Sequence, residues 1–170
     1  MTEQPRARGE GGPVDLSVVV PAYNEEDRLE ASLEQILGAL AARPAAWEVL
    51  VVDDGSADAT SAIAERYADR GVRLLRQRQN RGKGAALRVG VLASRGARVL
   101  LTDADLSTPM TDLDRLWPRL DRADVVLGSR AVRGARITRR QPLYREVMGK
   151  VFNRLVRLAG AGSIRDTQCG

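Results

Sequence analysis

LLTDADLSTP, residues 100–109, closes an apolar run on two carboxylates, Asp103 and Asp105, that stand one residue apart. A short apolar run bounded by polar residues reads as a buried strand. Two acids at its end repel each other and must be offset by something. In an extended chain residues i and i+2 point the same way, so the spacing predicts that both carboxylates face one cation just past the strand. All-oxygen ligands suit a hard divalent ion, Mg2+ or Mn2+, whose shell is completed by water and a substrate phosphate.

Working outward from this strand, the same punctuation recurs. LSVVVPAY (16–23) is β-branched and is expected to stop at Pro21, with Asn24 free to cap the helix behind it. In that helix Leu29, Leu33, Ile36, Leu37 and Leu40 repeat with the helical period. WEVLVVDDGS is the next strand; Ile63, Ala64 and Tyr67 mark a second helix ending near Gly71; VRLLRQ, ARVLLTD and ADVVLGS supply three further strands. Five β-α alternations with continuous apolar strands predict an α/β protein with a mostly parallel sheet covered by helices on both faces.

Ligands of such sheets bind outside the carboxyl ends of the strands. There the chain sets PAYNEE, DDGS, QNRGKG, TDADLS and GSR in turn, so acids, glycines and fixed cations gather on one edge. Taken singly each has a plain reading. Asp53-Asp54-Gly55-Ser56 makes a turn with a helix cap, Gly82-Lys83-Gly84 a solvated loop, Asp103 and Asp105 a cap, and Arg130 a surface charge. All five at strand ends are a poor coincidence for turns. The third loop is no P-loop, because position 77 is Gln and Gly follows Lys83.

Composition bounds the remainder. A chain of 170 residues is sized for one core. Residues 1–14 carry charges and glycines without an apolar segment and read as a flexible lead-in. The longest uncharged stretch, Leu16 to Asn24, is nine residues, far short of the ~20 that span a bilayer. The lone Cys169 makes no internal disulfide, in keeping with a reducing, cytoplasmic setting. A net charge of +5 favours anionic partners. Aromatic residues are only 4%, and acids at the strand ends oppose phosphate unless a metal intervenes, so no nucleic-acid partner is expected. A dinucleotide fold would need Gly-x-Gly-x-x-Gly where PAYNEE stands.

VVVPAYNEEDRL, VVDDGSADAT, NRGKGAAL, TDADLSTP and GSR together resemble, in order and spacing, the family 2 glycosyltransferases, inverting enzymes of GT-A (Rossmann-like) fold that use nucleotide-sugar donors. The resemblance runs over residues 15–170 and implies one GT-A catalytic domain there, C-terminally truncated, since similar sequences continue past Cys169-Gly170. It implies that Pro21, Ala22, Tyr23 and Glu25 contact the nucleotide, that Asp53, with Asp54 beside it, contacts the base or ribose, and that Lys83 lies near the nucleotide. Asp103-Ala104-Asp105 looks like the family's D-x-D motif, which holds Mg2+ or Mn2+ and the donor diphosphate. TDADLSTP and IRDTQCG resemble more narrowly the polyprenyl-phosphate (dolichyl-phosphate) glucosyltransferases. The implied reaction moves glucose from UDP-glucose to a polyprenyl phosphate. The alternative is a sister activity that takes mannose from GDP-mannose. LLTDADLS also resembles the aspartyl-nucleophile motif of haloacid-dehalogenase phosphatases, but that motif normally sits near the N-terminus.

A lipid phosphate acceptor is already an anion, so its approach to the donor diphosphate is the harder problem. Two like charges ~4 Å apart repel by about 4 kcal/mol at an effective dielectric near 20. Arg130, Arg139 and Arg140 suit the task of offsetting this at the acceptor phosphate, since guanidinium forks grip phosphate oxygens at two points. Asp166 is the late acid that orients acceptor or sugar, or else caps a loop; with Asp105 and Arg130 it completes the expected catalytic set. Residues 141–160 place Leu143, Val147, Val151, Leu155 and Leu158 on one helical face with Arg145, Lys150, Arg154 and Arg157 elsewhere. Such a helix packs on the sheet, meets an anionic membrane, or does both. Location at the cytoplasmic face of a membrane follows as an expectation. Anionic vesicles should co-sediment the chain at low salt and release it as salt rises; no co-sedimentation at low salt leaves only the packing role.

Overall fold

Four parallel strands carry the architecture: β1 (Val14–Ala22), β2 (Trp47–Asp53), β3 (Val72–Arg76) and β4 (Gly96–Leu101), in spatial order β3-β2-β1-β4. The computed structural model describes residues 13–128. Every residue of β2 is buried, as are all but one of β1. That is the signature of strands covered on both faces, and it explains why their sequences run apolar without alternating.

Each of the first three strands is followed by a helix that returns the chain. Helix α1 (Leu29–Ala41) buries Leu29, Leu33, Ile36, Leu37 and Leu40, the five residues whose period announced it. Helix α2 (Thr60–Glu65) runs through a 3-10 turn, Ala68–Arg70, to Gly71, whose φ of 85° ends it in the left-handed region. Helix α3 (Lys83–Ala93) lies against the face that carries Val19, Leu50 and Val52. Its approach is close: a Cβ on Gly90 would stand 2.3 Å from Val19 Cγ1. Val18, Val20, Val49 and Val51, which point the other way, are just as fully buried. Both faces of β1 and β2 are therefore covered, as expected, while β4 alternates and leaves Val99 and Leu101 exposed.

From Leu113 the chain forms a second compact unit. Its described part is a single helical turn, α4 (Leu113–Leu116), followed by a 3-10 stretch, Trp117–Asp121. The expected fifth strand, ADVVLGS, does not form over its described residues 123–128. Val125 and Leu127 there are 72% and 57% exposed. A three-residue apolar run is too short for periodicity to separate strand from loop, and among the described residues this one finds no ladder to join. At the other end β1 begins at Val14, so only residues 1–12 of the expected lead-in lie outside the described residues. No described helix is long and apolar enough to cross a membrane.

Away from the site edge, a buried carboxylate pins the sheet. Glu48, in the middle of the sheet on β2, is 4% exposed and accepts the Ser17 hydroxyl at 2.7 Å and the Arg95 main-chain N–H at 2.7 Å. The Arg95 guanidinium sits 3.1 Å and that of Arg73 3.8 Å from its second oxygen. Burial is the largest single influence on Glu48 and opposes its ionisation, but the Ser17 and Arg95 hydrogen bonds and the two guanidinium charges together outweigh it and hold the carboxyl below the usual glutamate value. A folded pKa below the unfolded one stabilises the protein above the unfolded value of about 4.3, and that contribution is lost as pH falls through the lower folded value. Glu48→Gln should therefore flatten the acid limb of stability. Urea unfolding at pH 7 and about pH 3.5 checks it: the variant should be destabilised at pH 7 by about 1–3 kcal/mol, and the gap should close in acid.

Candidate active site

The strand order reverses between β1 and β4, because the chain adds β2 and β3 on one side of β1 and β4 on the other. The crevice outside the carboxyl ends at such a switch point is where open α/β sheets bind ligands. Pro21 shapes it. The strand does not stop at Pro21, as its sequence suggested, but continues to Ala22, with Pro21 in register with Val52. Alternate residues of a parallel strand address alternate neighbours. The Val19 carbonyl accepts Thr102 N–H at 3.1 Å from the β4 side, and the Ala22 carbonyl accepts Asp54 N–H at 2.9 Å from the β2 side. The N–H that Pro21 lacks would have faced β4. Its absence ends the β1–β4 ladder there while β1–β2 pairing goes on.

The loops after β1 and β2 are sewn together. Asn24, at φ 53°, donates its N–H to Ser56 Oγ at 2.9 Å and accepts Ala57 N–H on Oδ1 at 3.0 Å. It ties loops rather than capping α1, whose N-cap is Arg28. Short amide side chains tolerate the left-handed region, and that freedom turns Asn24 away from the helix. Glu25 N–H meets Thr60 Oγ1 at 2.8 Å, Glu26 N–H meets Asp58 Oδ2 at 3.1 Å, and Ala59 N–H meets Glu26 Oε2 at 2.9 Å. Burial works against ionisation of Asp58, but hydrogen bonds from the Thr60 hydroxyl and main chain and from Glu26 hold its carboxyl below the usual range. On this platform Tyr23 is exposed and Pro21 and Ala22 are buried, while Glu25 is half-buried and paired with Arg28 at 2.9 Å.

Asp53 and Asp54 lie beneath the surface, each 3% exposed. Asp53 accepts Ser56 N–H at 2.9 Å and the Ser61 hydroxyl, which in turn accepts Arg76 Nε. Asp54 reaches the third loop, accepting Gln77 Nε2 at 2.8 Å, Arg81 N–H at 2.9 Å and Gly82 N–H at 2.7 Å. Gly55 makes this approach possible. Its φ is 77°, and any Cβ would fall 2.7 Å from the Gln79 carbonyl carbon, so only glycine lets the two loops touch.

Past β4 the chain does not stay extended. A turn closed by Leu106 N–H on the Asp103 carbonyl at 3.1 Å spans the D-x-D residues, with Leu106 at φ 46°. The alternation expected of a strand therefore does not place Asp103 and Asp105; the turn does. The buried Ala104 fixes it, since its carbonyl accepts the Ser32 hydroxyl of α1 at 2.5 Å. Asp105 is exposed and accepts Ser107 N–H at 3.0 Å and its hydroxyl at 2.8 Å. Asp103, half-buried, holds Lys83 Nζ at 2.6 Å. Among the described residues no group of three or more candidate ligands converges. Two carboxylates on one fixed turn nonetheless fit a hard divalent ion that takes its other ligands from water and phosphate.

The structure thus brings together the loops that hold Pro21, Ala22, Tyr23, Glu25, Asp53, Asp54, Lys83, Asp103, Ala104 and Asp105. Arg130, Arg139, Arg140, Asp166 and the 141–160 segment lie outside the described residues. Sequence reasoning missed Ser32, Thr60 and Gln77 and gave Asn24 a capping role in place of its cross-loop one. Ser32 had a signal, a polar residue three positions from Leu29 on the apolar face of α1.

Comparison with known proteins supplies the family. The glycosyl transferase family 2 model matches residues 17–169. A dolichyl-phosphate beta-glucosyltransferase of Trichomonas vaginalis is 40% identical over 92% of this chain and 50% of its own length; that of Drosophila melanogaster is 39% identical over 92% and 53%. The chain thus spans about half the length of the curated relatives it matches. Among solved structures, glucosyl-3-phosphoglycerate synthase from Mycobacterium tuberculosis, in complex with Mn2+, UDP and glucosyl-3-phosphoglycerate, superposes with a TM-score of 0.50 at 30% identity, over 63% of this chain and 39% of that one. A match of this extent leaves no room for the phosphatase reading: the chain belongs to glycosyl transferase family 2, with a GT-A fold.

Proposed function

We propose that the protein is an inverting glycosyltransferase that moves a hexose, glucose first, from a nucleotide sugar to a polyprenyl phosphate of the dolichyl type. The observation that carries this reading is the 33–40% identity to dolichyl-phosphate beta-glucosyltransferases over nine tenths of the chain. The geometry agrees with it. The strand order reverses between β1 and β4, the exposed Tyr23 and half-buried Glu25 offer a surface for a nucleoside, and the Asp103–Asp105 turn stands beside Lys83 for a diphosphate. UDP-glucose is the preferred donor and GDP-mannose the alternative.

In this reading Asp103 and Asp105 hold Mg2+ or Mn2+, which supplies charge neutralisation for the departing diphosphate. Tyr23 and Glu25 face the nucleoside. Asp53, with Asp54 beside it, contacts the base or ribose, and both carboxylates also fix the turns around the donor. The acceptor phosphate is ionised before it attacks, so its demand is for the cations Arg130, Arg139 and Arg140, with Asp166 orienting acceptor or sugar. The basic 141–160 segment brings the chain to the cytoplasmic face of the membrane where such an acceptor resides.

Two experiments test the proposal. Asp105→Ala should abolish Mn2+-dependent binding of UDP-glucose in calorimetry while circular dichroism stays native, because the side chain is exposed; unchanged Mn2+-dependent affinity removes the metal role. In radiolabelled sugar transfer to a short polyprenyl phosphate, Arg130→Ala or Arg139→Ala should lower transfer about 100-fold while changing donor affinity little, and Asp166→Asn should cost less. Preference for a neutral glycan acceptor overturns the lipid-phosphate reading.

A further inference from the structure

We infer that Lys83 is a built-in counter-ion that occupies Asp103 until the donor arrives, so that metal and diphosphate bind as a coupled pair and neither binds well alone. The inference rests on the metal-diphosphate reading of the site and adds a residue that controls it. Lys83 Nζ stands 2.6 Å from Asp103 Oδ1, while Asp105, among the described residues, accepts from Ser107. A divalent ion arriving at Asp103 therefore meets an ammonium already bound to its ligand. It must displace that charge and tolerate it nearby.

The placement of Lys83 is built. It is the first residue of α3, and the two residues before it, Arg81 and Gly82, give their N–H groups to the buried Asp54. With Gly55 admitting the loop from below, the root of Lys83 is fixed by Asp54 and Gly55 of the β2–α2 loop and by Arg81 and Gly82 of the third loop. The flexible end alone is free to move. A donor diphosphate offers the ammonium a second anion, and a Lys83 that turns to it vacates Asp103 for the metal. By linkage, the factor by which nucleotide strengthens metal binding equals the factor by which metal strengthens nucleotide binding.

The test is Mn2+ binding to the chain, read by electron paramagnetic resonance of free Mn2+, for the native protein and Lys83→Met, with and without UDP. Lys83 is half exposed, so the methionine should fold normally. Without nucleotide, Lys83→Met should bind Mn2+ about five- to tenfold more tightly, from loss of both the competing ion pair and the repulsion. The strengthening of Mn2+ binding by UDP should shrink in the variant, and Asp103→Asn should remove most of the gain. Equal or weaker nucleotide-free Mn2+ binding by Lys83→Met, while UDP still promotes Mn2+ binding to the native chain, overturns the counter-ion role and leaves the metal site standing. Absence of Mn2+ binding to the native chain and to Lys83→Met, with UDP or without it, overturns both.

Discussion

The buried carboxylate of Asp54 is the contact on which the loops at the carboxyl edge of the sheet depend. Strands β2 and β4 are not neighbours, and nothing in the sheet ladder brings the loops behind them to one place. Asp54 does so through three hydrogen bonds to the third loop, and Lys83 carries the connection on to Asp103. A carboxylate desolvated to this degree is tolerated because main-chain N–H groups replace water around it. Charge at this edge thus serves first to assemble the loops, and only the outermost groups are left for a ligand.

Glu48 supplies an instructive contrast. Its carboxylate is equally buried but faces guanidinium groups as well as N–H donors, and it closes the turn from α3 into β4. One acid lies within β2 and the other immediately beyond its carboxyl end. The first fixes how β4 enters the sheet and the second fixes what stands over the opposite end. The strand between them is wholly buried.

Much of this was legible in the residues. The continuous apolar runs predicted a parallel sheet because only strands covered on both faces can be apolar throughout, and α1 declared itself by the period of its leucines. The loop motifs were rightly placed behind the strands, at the carboxyl edge of the sheet. What the sequence withheld was conformation inside the loops. Asn24 and Leu106 adopt positive φ, and neither the turn at Asp103–Leu106 nor the cross-loop role of Asn24 follows from spacing alone. ADVVLGS failed for a related reason, since whether a short apolar run pairs depends on partners far away in the chain. The bridge from Asp54 to the third loop could not be foreseen, because a carboxylate at a strand end looks the same from sequence whether it faces solvent or a neighbouring loop.

The place of β4 in the sheet carries a consequence for how the chain acquires its structure. Val14 pairs with Gly96, and every rung between β1 and β4 joins residues that are far apart in sequence. Closing so long a loop is entropically slow, so β1, β2 and β3 can associate first and leave one edge of β1 open. An open apolar edge invites pairing with another nascent chain. Ser17 guards against this: its hydroxyl accepts Gly96 N–H at 2.8 Å, and the backbones meet so closely there that a Cβ on residue 96 would lie 2.4 Å from Ser17 N. Only a strand that begins with glycine fits that notch, and a slip by one residue would set Ala97 against it. The edge of β1 is thereby matched to its own late-arriving partner, and the D-x-D turn reaches its place as the last strand docks.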